Sequence, residues 1–461
     1  MRIKLIWQAI TRFFRLINAT LDHHSWLYWG LAGVFLAAAG FFRMWAAPLS
    51  AGVDIGQFWG FAKLFESHGL DFYRFADGTD PILPVNGWGY VYPPIWLLIL
   101  RGALFVSPDS LATASLVDVS WRVAMKVPII ASDLAIGGLL FWAVPGSKIH
   151  KLFLGSMWLI HPTSWYNSSI FGQFDAVAAV FLLASVILFT RGKNWPAFVF
   201  AGLAVLTKQH TALAVLLMLV VLARQLDRRK FLTGCAILAG IGIIISAPFL
   251  VTGNFSGYLR SVLLPAQAPG YQLPLVYTFS GSGAIITYLH EVFHWEIERL
   301  LMLNAPILVI ATIGGAILCY VKKVRIEQAA LIGILLFVAL FYRVNYQYLV
   351  IYIPIAIFAL ASTTKRLDKS LLACLIVIPA IWLWLMDVYF WFWYLEPSTY
   401  EVPPILKWLG LTHYVPDICY VILAGVLMLM SLAYVIVVFR RRPNLELDEA
   451  LQREHLAYRS A

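Results

Sequence analysis

A single carboxylate, Asp54, stands a few residues past the end of the first long apolar run, in the stretch APLSAGVDIGQFWGFAKLF. A lone acid at an aqueous face suits one task well: taking a proton from a hydroxyl as a general base. The alternative is helix capping, because Asp is a favoured N-cap residue. Ile55 and Gly56 follow it, so a metal-binding Asp-x-Asp pair is absent. Lys208, Gln209 and His210 form a second polar group, between two short apolar runs. They read either as a hairpin tip with a snorkelling lysine or as a cationic, hydrogen-bonding contact for an anionic headgroup. Arg343 is the only charge between Glu327 and Lys365, and Asn345 and Gln347 flank it. Guanidinium suits phosphate, and interfacial anchoring is the other reading. Gln173 and Asp175 in GQFD either open a helix or bind sugar hydroxyls. Asp71, Asp77 and Asp80 read as a turn. His290, His294 and His413 lack convincing ligand spacing, and no metal site is expected.

The elements that must position these groups are apolar. Of 461 residues, 61% are hydrophobic and 13% charged, with 18 Trp and 21 Tyr. Soluble domains have about half apolar and about a quarter charged residues, so the expectation is an all-α polytopic membrane protein. The net charge of +10 does not mark a nucleic-acid partner. Most of the basic residues fall in short clusters between apolar runs, where they act as topology signals. The four cysteines are scattered singly, which argues against a disulfide framework. Residues 1–25 predict an amphipathic helix on the cytoplasmic leaflet, with Ile3, Ile6, Ile10, Phe13, Phe14 and Ile17 on one face.

Apolar runs of spanning length, or shorter where half-buried in protein, predict about 12 transmembrane helices. They lie near residues 26–46, 121–144, 152–167, 176–190, 195–207, 211–223, 231–251, 301–321, 329–342, 348–361, 371–389 and 418–438. The segment YVYPPIWLLILRGALFV decides the parity. Placed in the outer interface, it leaves the basic clusters inside and both termini cytoplasmic. A long first outer loop then covers 47–120, with amphipathic stretches at 55–65 and 94–105. A second outer loop covers 252–299, and 440–461 is a basic cytoplasmic tail. The whole is one domain without a visible internal repeat. Asp54, Arg122 with Lys126, and the stretches 166–176, 207–212 and 341–349 all fall on the outer side.

These landmarks, in this order, resemble the GT-C superfamily of integral-membrane glycosyltransferases. The first-loop pattern is carried by Asp54, YVYPPIW and Arg122. GQFDAVAAVFLLA, AGLAVLTKQHTAL and YRVNYQYLVIYIP are similar to the mannosyltransferase group that includes the second GPI-anchor mannosyltransferase and its prokaryotic relatives. The resemblance implies inverting transfer of a sugar, mannose first, from a polyprenyl- or dolichyl-phosphate carrier at the outer or lumenal face. The acceptor would be a glycolipid, lipid-linked glycan or protein. Asp54 would be the base, and Lys208 and Arg343 would meet the donor phosphate. Tyr92, Arg122, Gln173, Asp175, Gln209, His210, Asn345 and Gln347 would line the substrate. No cofactor is expected and metal independence fits the lone acid, a divalent cation remaining open. A monomer is sufficient. One departure is that a His-containing signature of some relatives is replaced by Arg343-Val344-Asn345. The rival class is a lipid-linked-sugar flippase or other transporter, which should carry charges near the bilayer midplane and repeat symmetry.

Overall fold

A computed structural model of the chain describes residues 12, 15–50, 52–113, 116–252, 255–262, 275, 277–385 and 417–440. Regular structure among them is helical, apart from two isolated bridges, Ala112 with Val117 and Ser280 with Val344. In chain order the helices are α1 (Ser25–Ala46), α2 (Val53–His68), α3 (Pro94–Val106), α4 (Val119–Ala143), α5 (Lys148–Ile160), α6 (Asp175–Thr190), α7 (Asn194–Thr207) and α8 (Thr211–Gln225). There follow α9 (Arg228–Val251), α10 (Phe255–Val262), α11 (Gly283–Phe293), α12 (Asn304–Val321), α13 (Ile326–Leu340), α14 (Leu349–Ser362), α15 (Arg366–Leu385) and α16 (Asp417–Phe439). Most of the amphipathic face expected in residues 1–25, the end of the span at 371–389, His413 and all but Arg440 of the tail lie outside the described residues.

Helix length divides the molecule. α1, α4, α9, α12 and α16 lie in the five described helices long and apolar enough to cross a membrane. The figure of about twelve crossings therefore rests on shorter helices for the remainder. α9 and α12 leave Ile243, Ile244, Val309, Ile310 and Ile313 exposed, the kind of apolar surface that lipid covers. α13 and α14 are the opposite: Ile326–Ala339 and Leu349–Ala359 are buried throughout. With 15 and 14 residues, they are only ~21–23 Å long at 1.5 Å per residue. α6, α7 and α8 are similarly short, with 16, 14 and 15 residues. A hydrocarbon layer is ~30 Å thick. Buried helices of this length are shorter than the layer that their longer neighbours can span. Polar turns at that depth are tolerated where protein encloses them or where they line an aqueous recess.

α3 starts with Pro93 as N-cap and Pro94 at the first helical position, where a missing N–H costs nothing. Its 13 residues give ~20 Å, too little to cross. An exposed ion pair from Arg101 to Glu66, 2.7 Å long, ties it to α2. The expected span at 152–167 is not one helix. α5 stops at Ile160, ahead of Pro162, which cannot donate to a helical ladder. The chain resumes as one turn, Pro162–Trp165, and a π-helical segment, Tyr166–Phe171. A buried ion pair fixes this break. Arg43 Nε of α1 meets Asp133 Oδ2 of α4 at 2.6 Å, and Arg43 Nη2 donates to Leu159 O and Ser164 Oγ. Ser164 and Ser168 in turn donate to Asp133.

Candidate functional site

Asp54 is not the cap of α2. Gly52 takes that position with extended backbone, and Asp54 sits in the first turn without a side-chain cap bond. The first turn is the positive end of the helix dipole, which favours a carboxylate. The Gly52 N–H donates to Phe171 O at 3.1 Å, so the start of α2 lies against the end of the π-helical segment. Gly172 then turns the chain at φ 76°, where a β-carbon would also run into Ile55. Gln173 follows, and its Nε2 donates to Asp54 Oδ2.

Asp175 opens α6 and is fully buried. Its Oδ2 pairs with Lys208 Nζ at 2.6 Å. Lys208 ends α7 and is enclosed by aromatic faces, lying 4.4 Å from the Phe174 centroid, 4.8 Å from Tyr348 and 5.4 Å from Tyr92. Such faces attract a cation without consuming its N–H donors. Phe174 stacks on Trp96 at 4.3 Å and meets Tyr92 edge-on at 4.8 Å. Tyr92 is held through its neighbours: Gln209 Nε2 donates to Val91 O, and Tyr73 donates to Tyr92 O. His210 stacks on Phe337 at 4.6 Å. Burial, then Lys208, push its imidazole well below 6.5, which keeps it neutral.

Arg343 stands between α13 and α14 on a short extended stretch. Phe279 N donates to Val344 O and Gly283 N to Tyr342 O, so main-chain bonds grip both sides of it. Gly281 makes the grip possible, because its φ is 80° and a β-carbon there would collide with Phe341 O. The guanidinium acts on Asp54 through space and has no hydrogen bond or ion pair among the described residues. Burial pushes the Asp54 pKa above its ordinary value, and Asp175 adds to the rise. The Gln173 bond, Lys208 and Arg343 oppose it.

Asp54, Tyr92, Gln173, Asp175, Lys208, Gln209, His210 and Arg343 thus gather from five stretches of chain. Around them, Gln173 Oε1, Asp175 Oδ1, Gln209 Oε1, His210 Nε2 and Gln347 Oε1 are buried polar atoms with no partner among the described residues. Buried polar groups are nearly always paired, so this concentration suits a ligand rich in hydroxyls. Asn345 lies on the same stretch as Arg343, and its main chain accepts from Tyr348 N. Arg122 does not join the charges acting on Asp54. It is buried, and its guanidinium donates to Val117 O and Pro48 O. Asp77 accepts from Thr79 and Asp80 from Ile82 N, as turn residues do. Among the described residues no group of three or more His, Cys, Asp or Glu could hold a metal ion.

Sequence reasoning missed Phe174 and Tyr348 as walls of the lysine enclosure, since one more aromatic in an apolar chain gives no signal. It also passed over Arg43 and Asp133. Both lie inside apolar runs, where an ionisable residue is notable by default.

A search among proteins of curated function finds no match. The family model described as glycosyltransferase family 87 matches residues 90–345. The matched part runs from before Tyr92 to Asn345 and leaves Asp54 and Gln347 outside. It covers more than half of the 461 residues, and the chain belongs to glycosyltransferase family 87, a membrane family of the GT-C type.

Proposed function

We propose that the protein is an inverting glycosyltransferase using a polyprenyl-phosphate sugar, with Asp54 as general base. The sugar passes to a hydroxyl of a glycolipid, lipid-linked glycan or protein at the outer or lumenal face. Mannose is the hexose to test first, on the resemblance of the stretches at 172–184, 201–213 and 342–354. Family membership supports transfer as the reaction class. The observation that carries the assignment is the gathering of one half-buried carboxylate, one unpaired guanidinium and several unpaired acceptors.

The acceptor hydroxyl gives its proton to Asp54 as its oxygen bonds to the anomeric carbon. The bond from that carbon to the phosphate oxygen breaks on the opposite face, and the phosphate leaves with the electron pair. Phosphate is a good leaving group, so one base suffices. Arg343, with Lys208 behind it, faces the charge that builds there, and fixed charges in a water-poor site stabilise it effectively. The outward orientation is supported by helix polarity. α8 begins beside His210 and runs toward Arg224, Arg228 and Arg229, while α13 begins beside Arg325 and runs toward Arg343. Basic clusters thus occupy the helix ends opposite the site, which fits the positive-inside rule with cytoplasmic termini.

The test uses purified protein in nanodiscs, radiolabelled polyprenyl-phosphate-mannose and a glycolipid acceptor. Asp54→Asn lowers transfer by ~10²–10⁴-fold, the worth of a general base, with thermal melting unchanged. Near-wild-type turnover in that variant ends the base assignment. Donor translocation across vesicles without transfer would replace the enzyme by a flippase.

A further inference from the structure

Lys126, in the middle of no ion pair, has an unusual set of partners. Its ammonium is fully buried and lies within hydrogen-bond distance of four main-chain oxygens: Ala47 O at 2.9 Å, Ser50 O at 2.7 Å, Ser169 O at 2.7 Å and Ile170 O at 3.0 Å. The first two belong to the segment that leads into Gly52 and Asp54. The last two belong to the π-helical segment that leads into Gly172 and Gln173. Ser50 Oγ donates to Ile170 O, and Gly52 N donates to Phe171 O, across the same junction. A β-carbon on Gly172 would lie 3.1 Å from Lys126 Cε, so the lysine stem packs directly beneath the turn.

We propose that Lys126 is a positioning residue that staples the two segments together and so fixes the carboxyl of Asp54 on the amide of Gln173. Carbonyl oxygens of the two segments repel one another, and a cation placed between them converts that repulsion into attraction. The inference rests on the assignment of Asp54 as base for its kinetic consequence, and on geometry alone for its structural one.

Two measurements separate these. In protein whose four native cysteines are replaced, Asp54→Cys with Gln173→Cys is joined by a short bis-methanethiosulfonate, each thiol displacing a methanesulfinate, with Lys126 intact or as Lys126→Met. Cross-linking slows several-fold in the Lys126→Met background. An unchanged rate overturns the positioning role, whatever the chemistry at position 54. In otherwise native protein, Lys126→Met lowers kcat/KM by about 100-fold, as a misplacement of about 1 Å does. It also moves the acid limb of the pH profile upward. Adding Gln173→Leu then moves the limb no further. Independent shifts from the two changes overturn the inference. Lys126→Arg keeps the charge and restores part of the rate, which also serves if Lys126→Met does not fold. Full activity in Asp54→Asn would remove the base assignment while leaving the cross-linking result standing.

Discussion

Among the described residues two ion pairs are buried at both ends, and they differ in what they leave over. Arg43 and Asp133 are complete. The guanidinium reaches the carboxylate, Leu159 O, Ser164 Oγ and Ala39 O, while Ser164 and Ser168 supply hydroxyls to both carboxylate oxygens. Lys208 and Asp175 have the same short contact, but Asp175 Oδ1 has no partner among the described residues, and aromatic faces surround the ammonium. Desolvating a pair costs several kcal/mol, recovered only when the remaining donors and acceptors are satisfied. The first pair meets that condition within the protein. The second leaves one carboxylate oxygen over among the described residues, and its charges act on Asp54.

Breaking the complete pair has the largest expected effect. Asp133→Leu strands the Arg43 charge and costs about 3–5 kcal/mol, read as a lower melting temperature and a lower yield of monodisperse protein. Replacing the incomplete pair as a unit does the reverse. Lys208→Met with Asp175→Leu leaves melting nearly unchanged, because an apolar pair of similar volume substitutes for a buried ion pair at little cost. Transfer in that variant falls by about 100-fold, the loss that follows removal of a positioned electrostatic donor. A large drop in stability there would make the two pairs equivalent.

Arg343→Gln tests the donor side. Losing a charge-assisted hydrogen bond of about 1.5 kcal/mol raises the donor KM about tenfold, with a smaller change in kcat. The smallest effect belongs to Gln173→Leu, read as a pH profile. Asp54 must be ionised to act, and burial holds its pKa above the ordinary carboxylate value. Activity is therefore present above that pKa and lost as pH falls through it. The Gln173 bond lowers the pKa, so its removal moves the acid limb to higher pH. A limb that stays in place separates Gln173 from the base.

The helical architecture was legible because apolar runs and basic clusters report it directly. The convergence of Asp54, Lys208 and Arg343 was legible as a shared side of the membrane, since each follows the end of an apolar run. Which partner each would take was not. Lys208 could be read as an exposed hairpin tip, yet it is buried against Asp175 and among the rings of Phe174, Tyr348 and Tyr92, which lie far from it in sequence. Arg122 and Lys126 open the same helix one turn apart, and only their surroundings decide that both hold main chain. Asp54 could pass for a cap until Gly52 was seen in that place. The break at Pro162 was visible as a proline, but the apolar run around it carried the reading past it.

The grip on Arg343 consists of main-chain bonds from Phe279 and Gly283, with Gly281 turning the loop. Amide and carbonyl groups are common to every residue type, so the partner loop owes this contact to its backbone path and to its glycines. Thr278, Phe279 and Ser280 are buried as well, so packing and main chain together hold the loop, and a change in either is felt at Arg343.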